Sequence, residues 1–531
     1  MIKIKFNNSY ANLSNAFYKK TTPTLVKKPE LIKFNQALAS DLGLTEIAMD
    51  KSSIASQSEA AEVFSGNRIM EGSEPLSMVY AGHQFGGFSP QLGDGRAILL
   101  GEVINPEGVR FDIQLKGSGP TIYSRSGDGR SALGPVIREY LVSEAMAKLG
   151  VPTTRALAMV TTGEEVVRDT LVPGGILTRV ATGFVRVGTF EYFSAQGNLK
   201  AVQELADYEI ARHFSQNKTN KKDSGNAYVE FFSEVVDRQA KLIAKWMSLG
   251  FIHGVMNTDN MSIVGETIDY GPCAFMDAFD YNRVYSSVDR NGRYAYSNQP
   301  KIGQWNLVRL AETLLPLFIE NSFTEKKLID PSGTNPTEQE KEKAVEIAQN
   351  ILNGFATLYT DYWLSEMQKK LGLSEPKEQQ SLNDNVLVGE LLDLMDSTKA
   401  DFTLVFSNLT ELLPNQDDAK QLKKTRALFS NADAFDAWLI KWQARLAEES
   451  TNHHQRQKEQ LAIMRKANPV YIPRNHQIEA AIRAAEDHND FSVFNALHEV
   501  LQNPFEYQTG KDDYLLPPKP EEMVHQTFCG T

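Results

Sequence analysis

Cysteine is scarce in this sequence, with only Cys273 and Cys529 among 531 residues. Two cysteines are too few for the disulfide framework of a secreted domain. No run of 18 apolar residues is present, which argues against a membrane-spanning helix. The first 18 residues also lack the apolar core of a secretory signal. We therefore expect a cytoplasmic protein without a membrane anchor.

Positive charge is in deficit, with 55 Lys and Arg against 67 Asp and Glu and a formal net charge of −12. Proteins that bind duplex nucleic acid need a cationic face, so we expect no nucleic-acid partner. This balance does not exclude a local cationic pocket for one nucleotide. The hydrophobic fraction of 41% is that of a globular chain, and we favour a monomer.

Several familiar motifs are also missing. The sequence contains no Gly-x4-Gly-Lys-[Ser/Thr] loop, no His-Glu-x-x-His and no Cys-x-x-Cys. These absences argue against a P-loop nucleotide site and against a zinc centre.

The distribution of residue types predicts an α+β protein with two lobes and a cleft between them. The predicted parts are an N-terminal helical extension (1–75), a strand-rich lobe with Gly-rich loops (76–195), a helical lobe with irregular loops (196–475), and C-terminal helices with a tail (476–531).

Local patterns predict individual elements within these parts. Apolar and polar residues alternate over 111–116, which predicts a strand. Pro135 suits the first turn of a helix that ends at Gly150. The apolar spacing over 25–44 predicts a helix, and residues 184–187 predict a further strand.

Two pieces of the strand-rich part point to phosphate binding. Gly93 and Gly95 lie between extended segments, where backbone amides can approach phosphates closely, and Arg96 adds a forked cation. Lys116 ends a strand and resembles the Val-Ala-Ile-Lys strand of protein kinases, with Glu139 as its counter-ion on the next helix. The alternatives are a hairpin turn with a surface arginine and a solvated lysine.

Two further pieces lie in the helical part. Residues 253–260 have the length and ends of the kinase catalytic loop, so that Asn260 stands at the metal-binding position. Val255 occupies the place of the kinase catalytic Asp and cannot accept a proton, which leaves Asp259 as a substitute. Asp269, in Asp-Tyr-Gly, follows Asn260 by nine residues and offers a second oxygen ligand for Mg²⁺. The alternative is a pair of ordinary turns.

Other polar residues lie near these pieces. Arg179 and Arg186 on neighbouring segments either face solvent or clamp phosphates. Asp128 and Gly129 form a second Gly-Asp-Gly-Arg loop before the predicted helix.

Together these motifs resemble those of the selenoprotein O family, and the resemblance covers nearly the whole chain. The segments that carry it are 80–86 (YAGHQFG), 92–96 (LGDGR), 115–119 (LKGSG), 127–130 (GDGR), 253–260 (HGVMNTDN), 269–272 (DYGP), 298–300 (NQP), 305–307 (WNL), 468–469 (NP) and 474–475 (RN).

The resemblance implies a bilobed protein-kinase-like fold and protein adenylyltransferase activity. ATP would bind in a flipped orientation, and AMP would pass to Ser, Thr or Tyr hydroxyls of other proteins and of the enzyme itself, with release of pyrophosphate. The implied nucleotide-binding residues are Gly93, Gly95, Arg96, Lys116, Asp128, Gly129, Arg179, Arg186 and Asp269. Asn260 and Asp269 would hold Mg²⁺ or Mn²⁺, Asp259 would accept the proton, and Glu139 would pair with Lys116.

The two cysteines carry a separate hypothesis. Cys273 falls in the stretch that corresponds to an activation loop, and Cys529 is third from the end, where relatives carry Cys or selenocysteine. We hypothesise a redox-switchable disulfide between them that fastens the tail over the active site. The alternative is two unrelated thiols.

Three functions follow from these residues. The first is an ATP:protein adenylyltransferase. The second is a protein kinase that uses Asp259 as its base. The third is a non-catalytic ATP-binding scaffold, which the valine at position 255 suggests and the metal pair Asn260 and Asp269 opposes.

Overall fold

The computed structural model describes residues 3–44, 54–214, 225–319, 336–374, 378–415, 419–448 and 453–524. Its first part is built on an eight-stranded antiparallel sheet with the order β1-β3-β6-β7-β10-β9-β2, in which β8 pairs with β10. The strands of the described chain are β1 (Tyr18–Lys20), β2 (Glu30–Phe34), β3 (Leu76–Met78), β4 (Gly82–Gln84), β5 (Gly87–Ser89), β6 (Ala97–Ile104), β7 (Arg110–Lys116), β8 (Ser131–Ala132), β9 (Arg155–Val167), β10 (Leu171–Ala181), β11 (Phe251–Ile252) and β12 (Ala274–Phe275).

Helices dominate the second part. The helices of the described chain are α1 (Gln36–Asp41), α2 (Ile54–Phe64), α3 (Leu133–Lys148), α4 (Val187–Ala195), α5 (Leu199–Glu209), α6 (Ala227–Ser248), α7 (Gln299–Leu314), α8 (Glu338–Lys370), α9 (Glu378–Thr398), α10 (Phe402–Leu412), α11 (Ala419–Arg426), α12 (Ala432–Ala447), α13 (His453–Ala467), α14 (Asn475–His488) and α15 (Ser492–Val500). Within the described residues, no helix combines the length and apolar character needed to cross a membrane.

Strand β7 shows how the sequence positions the later site. Its alternation sends Ile113 and Leu115 into a core that also contains residues of α1 and α2. Gln114 and Lys116 therefore point to the other face of the sheet, because side chains alternate along a strand. Helix α3 covers that face with a second core.

The loops of interest in the helical part follow α6. This helix of 22 residues packs against the longer helix α8. Directly after it, β11 pairs with β12 in an antiparallel ladder, and the residues between the two strands include the segment 253–271. This short ladder fixes both ends of the loop against the helical core.

The structure corrects some of the predicted elements. The N-terminal extension does contain α1 and α2, but its first 44 residues also supply β1 and β2, the two edge strands of the sheet. The helix predicted over 25–44 is therefore wrong over Glu30–Phe34, which form β2. The strand predicted over 184–187 is also wrong, because Arg186 joins only an isolated bridge with Ser262 and Val187 begins α4.

The last helices are fastened to both parts of the chain. Arg138 on α3 donates a hydrogen bond of 2.6 Å from Nη1 to Asn475 Oδ1, and the amide of Gly134 donates to Glu486 at 2.7 Å. Arg474, which precedes α14, binds Asp277 and Asp401. The three boundaries between the four predicted parts stay a prediction.

Candidate active site

A cavity of about 340 Å³ lies between the sheet and the loops that follow α6. Nine of the predicted site residues line it, namely Gly95, Arg96, Lys116, Glu139, Arg179, Arg186, Asp259, Asn260 and Asp269. Residues more than 150 positions apart in the sequence thus meet in one place.

The carboxylate of Asp269 is the centre of the cavity's charge. Lys116 Nζ lies 3.1 Å from Oδ1, Arg179 Nη1 lies 2.7 Å from the same oxygen, and Arg186 Nη1 lies 2.5 Å from Oδ2. Burial alone would raise the pKa of Asp269, but Arg186, Lys116 and Arg179 hold it well below its usual range. The carboxylate is therefore ionised and shared by three cations.

Two neighbours align these cations from the sheet and from α3. Glu139 Oε2 accepts from Lys116 Nζ at 2.6 Å, and Glu139 Oε1 accepts from Arg179 at 3.2 Å. Gln114 Oε1 accepts from Arg179 Nε at 2.7 Å. The predicted pairing of Glu139 with Lys116 is present in the structure, and Arg179 and Arg186 do not face solvent, because both are 2% exposed.

Asp259 offers an acceptor oxygen in the cavity. Its side chain is buried, and burial raises its pKa to about 6 although Arg186 opposes the shift. Gln84 Nε2 donates to Oδ2 at 3.2 Å, while Oδ1 has no hydrogen-bond partner among the described residues. Val255 is 6% exposed and also lines the cavity. The only ionisable side chain of the segment 254–260 is therefore Asp259.

The hairpin of β4 and β5 holds this loop from outside. The amide of His83 donates to Thr258 Oγ1 at 2.7 Å, and the amide of Phe85 donates to Asn257 Oδ1 at 3.1 Å. A Cβ on Gly82 would lie 2.3 Å from Asp259 Oδ1. Only glycine fits at position 82 while the hairpin and the loop stay this close.

A second cleft of about 580 Å³ adjoins the cavity and shares Tyr80, Gly95 and Arg96 with it. Gly93, Asp128 and Gly129 line this cleft rather than the cavity. Burial alone would raise the pKa of Asp128, but hydrogen bonds from Arg168 and from the amide of Arg130 lower it. Residues of both Gly-Asp-Gly-Arg loops therefore line this second cleft.

Some residues of the site were quoted in the motifs without a role. Tyr80 lies under Arg186, with its ring centroid 4.7 Å from the guanidinium carbon, and burial raises its pKa. Asp94 accepts from the amide of Met78 and from Gln114. Gln84 donates a hydrogen bond to the Asp259 carboxylate, and Asn257 accepts one from the amide of Phe85 in the hairpin. Only contacts between distant segments reveal these roles.

Of the two cysteines in the predicted disulfide, the structure describes Cys273. Cys273 is fully buried and does not line the cavity. Cys529 lies outside the described residues. The disulfide between them stays a prediction.

Comparison with known proteins gives one consistent family. A family profile described as "Protein adenylyltransferase SelO" matches residues 1–502. Proteins named "Protein nucleotidyltransferase YdiU" are 50% identical to this chain in Bradyrhizobium sp. (strain ORS 278), over 530 residues and 100% of both chains. The same name and identity recur in Rhizobium johnstonii (99% of this chain and 97% of the relative) and in Rhizobium meliloti (100% of both). The chain therefore belongs to the family of the protein adenylyltransferase SelO, and it is an enzyme of the nucleotidyltransferase class.

Proposed function

We propose that this enzyme transfers AMP from ATP to Ser, Thr or Tyr hydroxyls of proteins, including its own, and releases pyrophosphate. The observation that carries the proposal is that three cations, two of them buried, pair with Asp269 beside a separate, partly unpartnered carboxylate at Asp259. The cations suit phosphate oxygens, and the carboxylate suits an acceptor proton. The relatives' names support nucleotide transfer to protein.

The nucleotide would occupy the cavity and the adjoining cleft. Arg96 lines both spaces, so it suits a phosphate chain that passes from one to the other. Gly93, Gly95 and Gly129 leave backbone within reach of phosphates, and Asp128 lines the same cleft. We infer from this division a bilobed, protein-kinase-like fold in which the sheet and the helical part each supply one wall.

A divalent cation fits the donors present. Asn260 uses its amide nitrogen to bind the carbonyl of Val255 at 3.0 Å, and among the described residues its amide oxygen accepts no hydrogen bond. That oxygen and the Asp269 carboxylate are the hard donors that Mg²⁺ or Mn²⁺ takes, with phosphates and waters completing the shell. Bound there, the cation would neutralise charge on the phosphates.

The transfer itself requires one bond to form and one to break. The acceptor oxygen attacks the α-phosphorus, the bond from that phosphorus to the bridging oxygen breaks, and pyrophosphate departs with the bonding pair. Asp259 receives the hydroxyl proton. Lys116, Arg179 and Arg186 stabilise the negative charge that grows on the phosphates, because preorganised cations need no rearrangement at that moment.

The alternative function is a protein kinase that also uses Asp259 as its base. In that reaction the acceptor hydroxyl attacks the γ-phosphorus of ATP instead of the α-phosphorus. Val255 supports AMP transfer, because a kinase would carry an Asp at that place. A cytoplasmic location, a monomeric state and the lack of a nucleic-acid partner remain predictions from composition.

The position of label in the product tests the proposal. The purified chain is incubated with Mg²⁺ and with ATP labelled at either the α- or the γ-phosphate, under reductant. Label on protein from the α position alone is expected, and it should be lost in Asp259→Asn and kept in Asp361→Asn, an exposed carboxylate on α8. Label from the γ position alone would make the enzyme a kinase.

A further inference from the structure

The outer side of the β4–β5 hairpin is unusually apolar for a surface beside a polar site. Gln84 and Phe85 line the cavity next to Asp259, so the hairpin reaches from the reacting groups to the outside. Phe85 is 39% exposed and Phe88 is 42% exposed. Val288, which lines the same cavity, is 64% exposed. Exposed apolar patches beside a polar site mark interaction surfaces.

The tip of this hairpin is held in a strained conformation. Phe85 has a φ of +50°, which a bulky residue rarely adopts. Its amide donates both to Asn257 Oδ1 and to the Tyr294 hydroxyl, each at 3.1 Å, and its ring lies 5.1 Å from the Tyr294 ring. Such strain persists where the surroundings impose it, and it is common at ligand clamps.

A cation without an acidic partner lies beside the hairpin. Arg293 packs over Trp305, 4.7 Å from the ring centroid, and Trp305 in turn contacts His83 at 5.3 Å between centroids. No carboxylate of the described residues pairs with Arg293, and its buried Nε donates no hydrogen bond there. Arg309, on the other side of Trp305, is already paired with Glu312 at 2.7 Å.

We propose that this surface, made of Phe85, Phe88, Trp305 and Arg293, binds the acceptor segment of the protein substrate. The inference rests on the proposed function. The nucleotide fills the cavity, so an acceptor hydroxyl has to reach Asp259 from outside, and the hairpin that carries Gln84 forms the wall there. The segment would lie across the hairpin with its hydroxyl over Asp259.

The surface also defines the chemistry of that segment. Two exposed phenylalanines accept an apolar side chain next to the modified residue. The forked guanidinium of Arg293 accepts a carboxylate, and a partly buried arginine that stacks on an aromatic ring is already oriented for it. The preferred acceptor is therefore a hydroxyl flanked by an apolar residue and by Asp or Glu.

The test uses the full chain, ATP labelled at the α-phosphate, and synthetic peptide libraries with a fixed central Ser or Tyr. One library carries Asp and Glu near the centre, and the other carries Lys and Arg at the same places. The wild-type chain should label the acidic library about tenfold better, which corresponds to about 1.4 kcal/mol. Arg293→Glu should lose or invert that preference. Arg290→Glu, an exposed arginine three residues away, should keep it.

The possible results test the inference about this surface separately from the proposed function. Equal labelling of both libraries by the wild-type chain, or an acidic preference that survives in Arg293→Glu, overturns the inference and leaves the proposed function intact. Arg293→Gln and Phe88→Ser serve if the charge reversal fails to fold, and both should raise the KM for acidic peptides while ATP affinity is unchanged. A wild-type dimer in sedimentation that Arg293→Glu dissociates would assign the surface to a second copy and overturn the inference. Label on the enzyme itself but on no peptide overturns the inference. No label on any peptide or on the enzyme, with ATP bound, contradicts the proposed function itself.

Discussion

Asp269 serves as the counter-ion of three cations in the cavity. Its carboxylate takes the place that phosphate oxygens would take between Lys116, Arg179 and Arg186. Two buried arginines and the partly buried Lys116 would be costly without a partner, because each has left water. The side chain that is proposed to hold the metal therefore also stabilises the fold around these cations.

Replacement of this carboxylate should affect stability and transfer together. Asp269→Asn leaves Lys116 and Arg179 with Glu139 and leaves Arg186 without its carboxylate partner, so we expect a loss of about 3 kcal/mol in the free energy of unfolding. Transfer should fall at least about a hundredfold, because the proposed metal ligand is lost. Urea unfolding and α-label transfer measure the two effects.

The nucleotide gives this prediction an internal control. In EDTA, ATP should raise the melting temperature of Asp269→Asn more than that of the wild type, since its phosphates replace the missing charge. Asp361→Asn should match the wild type in all three measurements. Full activity and unchanged stability in Asp269→Asn would contradict the assigned role.

At the scale of elements, the close approach of β4 to the loop 253–260 sets the position of Asp259. Gly82→Ala would place a methyl group 2.3 Å from Asp259 Oδ1, so the hairpin or the loop has to move. A displacement of about 1 Å at reacting groups costs on the order of a hundredfold in rate. We expect kcat to fall by that factor while ATP affinity, measured by calorimetry, changes little.

A matched control is available in α8. Gly354 has no atom within 4 Å of an added Cβ, so Gly354→Ala should leave kcat unchanged. Equal kcat values for Gly82→Ala and the wild type would show that the contact does not position Asp259.

Another element carries a buried acid outside the active site. Glu209 ends α5, where one π-helical turn (Ile210–Phe214) follows. Burial raises the pKa of Glu209 to about 8, and neither carboxylate oxygen has a hydrogen bond among the described residues. The charged groups around it are Arg212, Asp112, Glu102 and Arg238. The imidazole of His213 lies 3.7 Å away and is neutral, because burial lowers its pKa to about 2.

This acid should make stability depend on pH. Because the folded-state pKa lies above the unfolded value of 4.5, Glu209 weakens the fold progressively as pH rises from about 5 to 8. Glu209→Gln removes the ionisable group, so the variant should be more stable than the wild type. This gain in unfolding free energy should grow with pH to about 3 kcal/mol at pH 7. Urea titrations between pH 5 and 8 measure the gain. The exposed Glu342→Gln on α8 should show none, and a gain in Glu209→Gln that is constant with pH would refute the explanation.

Some elements are predictable from sequence and others are not. The strand over 111–116 and the helix from Gly134 to Gly150 were predicted within a few residues of β7 and α3, because long, regular patterns determine them. β1 and β2 have three and five residues, and their pairing with β3 and β9 determines them. Phe184, Val185 and Val187 are apolar because they are buried, not because the segment pairs as a strand.

The site residues show the same difference between local patterns and contacts with distant segments. Lys116, Glu139, Asn260 and Asp269 stand in motifs with fixed spacing, and the structure places all four in the cavity. The role of Gln84 depends on a contact across 175 residues, which no local pattern records. The misprediction of the N-terminal extension has the same cause.

At the scale of the whole molecule, Arg474 ties the C-terminal helices to the rest. It is 1% exposed and binds Asp401 at 2.8 Å and also Asp277. Arg474→Ala leaves two carboxylates without their cation, and breaking such a buried cluster costs about 3–5 kcal/mol. The unfolding midpoint in urea should fall accordingly.

The same helix provides the comparison. Arg483 on α14 is half exposed and pairs only with carboxylates on its own helix. Arg483→Ala should therefore lie within about 0.5 kcal/mol of the wild type. Equal effects of the two substitutions would mean that Arg474 does not hold the parts together.

The hairpin described above also sets when during synthesis the enzyme can first act. The hairpin leaves the ribosome early, whereas its partners Thr258 and Asp259 follow 175 residues later. Contacts that span so much chain form late, because a long loop has to close first. A nascent chain can present its Gly-Asp-Gly-Arg loops and Lys116, but its hairpin still lacks the loop that carries Asp259, the proposed base. Protein modification is thereby restricted to chains whose translation has passed this loop.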